Sequence, residues 1–314
     1  MPTINACSTL AFSLSSLEVA LKHIRNYDFS SVEIADMFTH SKHFSIDNSD
    51  PEEVKKLLRK YSLTPVAANV SLAISIQEGL NFEKASVQTQ SAAEIQEIKD
   101  AKANMGYHKL HDEAQADHYI ARAKKLIKKA KIAGIPKVCL QGGRRTQILN
   151  INPEIKAAAK VIDHLAEFAR LKGIKILLEM PHVWDIYYDI DTSKKMLDSL
   201  KSNNIGVLID STHWHVSGYD IDSYLDFLGD RLWHIHLRDA AGKDSSSGNY
   251  ELEKTPGKGE VDFAKLAKSL DKHGYNGSVT LETEYKNYKN VEEVDVENRY
   301  ALQYLKSVGW MTES

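Results

Sequence analysis

Residues 174–210 read IKILLEMPHVWDIYYDIDTSKKMLDSLKSNNIGVLID, and this stretch decides the fold. An apolar run, Ile176-Leu177-Leu178, ends in Glu179. A second, Val207-Leu208-Ile209, ends in Asp210 about 30 residues later, the length of one strand-plus-helix repeat. The same pattern returns in Trp233-His234-Ile235-His236 and in Val279-Thr280-Leu281-Glu282. Read as parallel strands of one sheet, the four runs bring Glu179, Asp210, His236 and Glu282 out at the same end. Three carboxylates and an imidazole converging on one point make a hard-cation site.

Outward from this stretch, strand and helix signals keep alternating. Residues 4–12 form the first strand candidate, followed by an amphipathic stretch over 17–27 and a short strand over 31–34. Asp50, Pro51 and Glu53 open a helix as N-cap, first helical residue and capping-box partner. Residues 63–70 are strand three. The polar region 81–112 breaks the alternation and is expected to hold a helix plus an extended loop. Ile120, Ala123, Ile127 and Ala130 then mark a helix that Gly134 ends, before strand four at 137–140. Asn152-Pro153 starts a helix carrying Ala158, Val161, Ile162, Leu165 and Phe168, closed by Gly173. Strands five to eight fall at 174–179, 205–210, 232–237 and 278–282, with a last helix at 291–308. Eight strands interleaved with helices, and no Pro- or Gly-rich linker, predict an α/β fold: a single (β/α)8 TIM barrel spanning residues 1–314 as one domain. Such a barrel builds its active site at the carboxyl ends of the strands.

With 40 Lys plus Arg against 43 Asp plus Glu, the 314-residue chain carries a formal net charge of −3. That balance offers no pull toward nucleic acid or anionic lipid, so neither is expected as a partner. Lys124, Lys125, Lys128, Lys129 and Lys131 alternate with Ala123, Leu126, Ile127 and Ala130, and so form the solvated face of a helix. Only Cys7 and Cys139 occur, without paired spacing, which argues against a disulfide scaffold or a thiolate metal site. No basic segment precedes Lys22, and no run approaches the roughly 18 apolar residues of a membrane span. A cytoplasmic protein is the expectation.

Further candidates lie just beyond the strand ends. His213 is placed to bind substrate or assist a metal, and His215 reads as a loop histidine. His234 and His236 share a strand face; the later one is nearer the carboxyl end and is assigned to the metal, leaving His234 packed one layer deeper. Arg238 could hold a substrate hydroxyl or carboxylate. In Pro256-Gly257-Lys258-Gly259-Glu260 the glycines allow close backbone approach, Lys258 is expected to reach the substrate, and Asp262 caps the next helix. His182 is a candidate substrate contact. Glu33, His40 and His43 are candidates to line the pocket, Trp184 and Trp214 to cover a sugar face.

Taken in order, these motifs resemble the sugar phosphate isomerase/epimerase superfamily of xylose isomerase-like barrels. The resemblance rests on Glu179-Met180-Pro181-His182, on Asp210 with His213, on His236-Leu237-Arg238-Asp239, on Pro256-Gly257-Lys258-Gly259 with Asp262-Phe263, and on Leu281-Glu282. It covers most of the chain, best from about residue 137 onward. It implies one divalent metal held by Glu179, Asp210, His236 and Glu282. His213 becomes a substrate or near-metal residue, and Arg238 a substrate contact. In epimerases of this family the two ligand glutamates also act as acid and base, which here implies Glu179 and Glu282. Glu284 rivals Glu282 on the same strand face; Glu282 is preferred because it ends the apolar run.

An oxygen-rich set with one imidazole favours Mn²⁺ or Mg²⁺, with Co²⁺ as a third choice. A metal polarising a sugar carbonyl would stabilise an enediolate, and a carboxylate would move the proton. The expected function is therefore an isomerase or epimerase of a small keto-sugar or polyol ketone. The alternative is an inosose dehydratase-like lyase using the same site. A metal-free binding barrel is a third reading. The family's nuclease branch needs extra metal ligands at early strand ends; this chain has Asn69-Val70-Ser71 and Gln141-Gly142-Gly143 there, and no histidine between Asp239 and Glu260. The oligomeric state is not legible in the sequence; barrels of this group often pair, which makes a homodimer the candidate assembly.

Overall fold

The short apolar runs pair in chain order. In the computed structural model, which describes residues 1–37, 41–72, 108–144, 151–243, 249–285 and 288–313, eight parallel strands close a barrel. They are β1 (Ala6–Ser8), β2 (Ser31–Asp36), β3 (Thr64–Val70), β4 (Lys137–Leu140), β5 (Lys175–Glu179), β6 (Ile205–Asp210), β7 (Leu232–Leu237) and β8 (Ser278–Leu281). β8 pairs back onto β1 through Thr280 with Ala6 and Leu281 with Cys7, so no edge is left open.

Around the barrel run α1 (Leu17–Arg25), α2 (Pro51–Lys60), α3 (Glu113–Ala133), α4 (Asn152–Arg170), α5 (Ile190–Ser199), α6 (Ser211–Ser217), α7 (Ile221–Leu228), α8 (Phe263–Lys272) and α9 (Val291–Ser307). Each helix turns an apolar stripe to the strands; α1, for example, buries Ala20, Leu21 and Ile24. Gly134 ends α3 at φ +79°, a left-handed conformation that costs glycine least. Among the described residues, no helix is long and apolar enough to cross a membrane.

Several local expectations shift. Of residues 4–12, only Ala6–Ser8 joins the barrel; Thr9–Phe12 coils into a 3-10 turn, and Thr3–Ile4 pairs with Met311–Thr312 near the other chain end. Asp50 caps α2 by accepting from the Glu52 amide at 2.9 Å, while the Glu53 carboxylate pairs with Lys56 instead of closing a capping box. The short helix α6 and the antiparallel ribbon Asp239–Ala241 with Glu251–Lys254 have no counterpart in the sequence reading. Of the helix and loop expected over 81–112, residues 81–107 lie outside the described residues, as does His40.

What matters for function is the lumen. Ala67, Cys139, Leu177 and Leu208 form an apolar plug inside the barrel, with Trp233 packed against it. Side chains two apart on a strand share a face. Leu177 and Leu208 in the plug therefore place Glu179 and Asp210 in the lumen one layer higher, toward the carboxyl end. A bulge at Trp233 opposes Leu232 to Val207 and His234 to Leu208. It lets the Trp233 ring lie over Gly206, where any Cβ would overlap it, while His234 and His236 both turn inward.

Candidate metal centre at the carboxyl end of the barrel

Because Asp210 and His236 are register partners on β6 and β7, and Glu179 ends the neighbouring β5, these three side chains are brought together by the ladder itself. Ligand atoms of Glu179, Asp210 and His236 all lie within 4.8 Å of one another. Glu282 follows β8 directly, its amide bonded to the Leu237 carbonyl at 3.1 Å. Its Oε2 lies 3.0 Å from His236 Nδ1, and its Oε1 accepts from Asn69 Nδ2 at 3.1 Å. Two further trios have ligand atoms within the same 4.8 Å span: Glu179, His182 and His213 on the pocket side, and Glu33, His234 and His236 in the lumen below.

Around this centre the polar groups are held from behind. Asp210 Oδ1 accepts from the Thr212 amide at 2.6 Å and its hydroxyl at 2.5 Å, capping α6. Its Oδ2 accepts from Arg238 Nη2 at 2.9 Å, and Arg238 Nη1 donates to Glu284 Oε2 at 2.7 Å. His213 Nε2 stands 3.7 Å from Glu179 Oε1, and the His182 and His213 rings lie 4.2 Å apart. Trp184, 49% exposed, sets its ring edge-on to both imidazoles at the rim.

Burial governs the protonation states. It pushes Glu179 up to about 7, with Asp210 and Glu282 adding to the rise and the His182 and His236 imidazoles opposing it. Burial would do the same to Asp210, but the Arg238 guanidinium holds that carboxyl well below the usual range. His213 is kept neutral by burial and by neighbouring His182. Against its burial, the Glu282 and Glu33 carboxylates raise the His236 imidazole well above its usual value as long as no cation lies between them. The mouth thus gathers Glu179, Asp210, Glu282 and Glu284, with Glu33 just below, against the Arg238 guanidinium and the His236 imidazole among the described residues. An excess of buried carboxylate calls for a cation.

The donor set fits a divalent ion. His236 Nδ1 is fully enclosed, has no hydrogen-bond partner, and faces Glu282. Its 3.0 Å separation from that carboxylate oxygen is what two ligands at right angles on a cation with bonds of about 2.1 Å would have. Glu179, Asp210, His236 and Glu282 would hold the ion, with three oxygens and one nitrogen.

Other sequence candidates fall out as follows. His182, His213 and Arg238 stand around the centre. Lys258 does not: it is exposed, its ammonium on Glu297 Oε1 at 2.6 Å and over the Tyr300 ring. The Pro-Gly-Lys-Gly motif is instead an anchor for Asp239. That buried carboxylate accepts from the amides of Gly257 (2.9 Å), Gly259 (2.8 Å) and Val261 (3.0 Å), which turns the lysine between them outward. His43 bonds the Ser15 carbonyl at 2.9 Å, away from the centre. His215 is buried in α6 rather than in a loop. Glu33 proves closer to the centre than its reading as a pocket-lining residue suggested. The Val-Glu-Ile run at 32–34 carries the same apolar-then-acidic signal as the three acidic strand ends, but the carboxylate interrupts the strand rather than ending it.

Comparison with known proteins agrees with this architecture. A family model described as xylose isomerase-like TIM barrel matches residues 21–312. An inosose dehydratase of Clostridium perfringens is 29% identical over 142 residues, which are 42% of this chain and 48% of that protein. An inosose isomerase of Halalkalibacterium halodurans is 25% identical over 173 residues, 54% of this chain and 61% of that one. The chain thus spans about half the length of the first of these relatives. Among solved structures, an IOLI protein with a bound zinc atom superposes with a TM-score of 0.71 at 17% identity, covering 96% of this chain and 98% of that one. An L-ribulose 3-epimerase does so with a TM-score of 0.70 at 16% identity, covering 98% and 96%.

Proposed function

Because this chain belongs to the xylose isomerase-like TIM barrel family, we propose that it is a divalent-metal-dependent isomerase or epimerase of a small keto-sugar or related polyol ketone. One observation carries the reading. Glu179, Asp210 and His236 meet within 4.8 Å, with Glu282 3.0 Å from His236, at the barrel end where such folds do chemistry. A divalent ion bound there supplies Lewis-acid polarisation of a substrate carbonyl, which acidifies the adjoining C–H. Mn²⁺, Mg²⁺ and Co²⁺ suit the oxygen-rich set. Zinc, bound in the IOLI structure, belongs in the same trial.

The reaction class is proton transfer beside a carbonyl, through an enediolate. Glu179 is the base: a carboxylate held beside the bound carbonyl would take the proton from the adjoining carbon. Glu282, three strands further round the barrel and held by Asn69, is the second acid–base group. Return of the proton to the opposite face gives epimerisation; its return to the neighbouring carbon gives isomerisation. His213, kept neutral, and His182 bind substrate hydroxyls, and Trp184 covers a sugar face. Arg238, clamped between Asp210 and Glu284, is the fixed positive charge behind the reacting carbons. Dehydration by the same base is the second reading, favoured by the activity of the Clostridium perfringens relative.

The test strips the protein with a chelator, reloads it with each ion, and incubates it with ketoses and inososes in D2O. Deuterium beside the carbonyl without loss of mass supports the isomerase. Loss of water with enone absorbance identifies the dehydratase. Neither outcome with any ion overturns both. Glu179→Gln should lower turnover by about 10²–10⁴.

A further inference from the structure

Glu33 is a carboxylate with no accessible surface, and the reaction just proposed does not use it. It comes from β2, on the far side of the lumen from the β5 and β6 carboxylates, and reaches under the metal centre. Its Oε2 lies 3.0 Å from His236 Nε2 and 3.1 Å from His234 Nε2, while its Oε1 has no hydrogen-bond partner. His234 Nε2 also meets Thr280 Oγ1 at 2.9 Å.

The chemistry of that contact fixes a tautomer. A carboxylate only accepts, so the ring nitrogen facing it must carry the hydrogen. The other nitrogen of His236, Nδ1, is enclosed and faces the Glu282 carboxylate at 3.0 Å without a hydrogen bond, so without an ion it can carry a hydrogen as well. A cation bound between Nδ1 and Glu282 would displace that hydrogen, and the Glu33 contact would keep the remaining one on Nε2. Resting on the metal-centre reading above, we propose that Glu33 is a positioning residue: it locks the Nε2–H tautomer and ring plane of His236 so that Nδ1 is presented to the cation. His234, held by Thr280, steadies Glu33 from below. The same three side chains could be mistaken for a cation site of their own, but His236 Nε2 meets Glu33 Oε2 with hydrogen-bond geometry at 3.0 Å, whereas His236 Nδ1 makes no hydrogen bond to Glu282 at the same distance. Partners of this kind behind a ligating histidine typically change metal affinity 10–100-fold when removed.

Three measurements on the full chain test this. Imidazole ¹⁵N spectra of the wild type should show His236 protonated on Nε2 with metal bound; a hydrogen on Nδ1 overturns the proposal, and this readout needs no variant. Calorimetric titration of the chelated protein with Mn²⁺ should give affinity 10–100-fold weaker in Glu33→Gln, with Glu33→Asp recovering part of the loss. The visible spectrum of the Co²⁺ form should shift in Glu33→Gln, whereas a purely structural defect would lower occupancy without changing the band positions. Wild-type affinity with an unchanged Co²⁺ spectrum overturns the proposal. So do two ions per wild-type chain with one lost in Glu33→Gln, since Glu33 would then be a ligand. A wild type that binds no divalent ion sinks the metal centre itself, a separate and recognisable failure.

Discussion

At Asp210 two demands meet on one side chain. One carboxylate oxygen caps α6, and the other receives Arg238 at 2.9 Å. The sequence marked Asp210 as the end of an apolar run; only the fold reveals that Arg238 returns from the next strand to hold it. Arg238→Lys should therefore be far from conservative, because a lysine cannot fork between Asp210 and Glu284. Loss of one charge-assisted bond at a buried site is expected to cost about 1.5–3 kcal/mol, read from urea unfolding. A second residue prediction concerns His108, which is 1% exposed and bonded to His118 at 2.9 Å. Burial, helped by His118 and Arg122, lowers His108 to about 4. Its folded value lies below the unfolded one, so it makes no demand on stability well above pH 6.5. As pH falls through that range the unfolded chain takes up the proton first, and stability is lost until about pH 4. Between pH 7.5 and 5, His108→Gln should lose less stability than wild type, by at most about 2 kcal/mol. Equal losses in the two proteins would refute this.

The loop after β7 shows how an element can carry a signal whose meaning is misread from sequence. Pro256-Gly257-Lys258-Gly259 invites the view that its lysine serves the substrate. In space the glycines are what count: their amides bond Asp239, Gly257 sits at φ +92°, and a Cβ on Gly259 would overlap the Asp239 carboxylate and the Ala240 carbonyl. Asp239→Asn replaces one accepting oxygen with a donor and should cost about 3 kcal/mol in chemical denaturation, since amides at a partly buried turn lose a charged acceptor. Lys258→Ala should leave KM unchanged within error and stability within about 1 kcal/mol, as expected for an exposed ion pair. A tenfold rise in KM would restore the lysine to the site. The element ends themselves were largely legible. Strands at 137–140, 205–210 and 232–237 fall where the apolar runs placed them, and Gly134 stops α3 as read. The 3-10 turn at Thr9–Phe12 was not, because Leu10, Ala11 and Phe12 are as apolar as a strand and periodicity cannot separate the two over so short a span.

On the scale of the whole molecule, closure of the barrel turns distant strand ends into neighbours, and a bound ion should strengthen that closure. An ion held by residues from β5, β6, β7 and the segment after β8 ties half the barrel's circumference together. Mn²⁺ at 100 times its dissociation constant is expected to add about 2.7 kcal/mol to stability, visible as a higher calorimetric midpoint than in the chelated protein. Coincident midpoints would deny the centre. The sequence by itself determined the alternation of strand and helix, hence the barrel. It also determined which side chains stand at the carboxyl ends, because a period of two along a strand and the strand-plus-helix repeat are local properties. Tertiary structure alone decided the rest. Register and the bulge at Trp233 set that His236 faces Glu282 and Glu33, closure brought β2 under the centre, and Asp239 drew Lys258 away. Those relations run between residues up to hundreds of positions apart, and no local pattern carries them; they exist only once eight strands have chosen their partners.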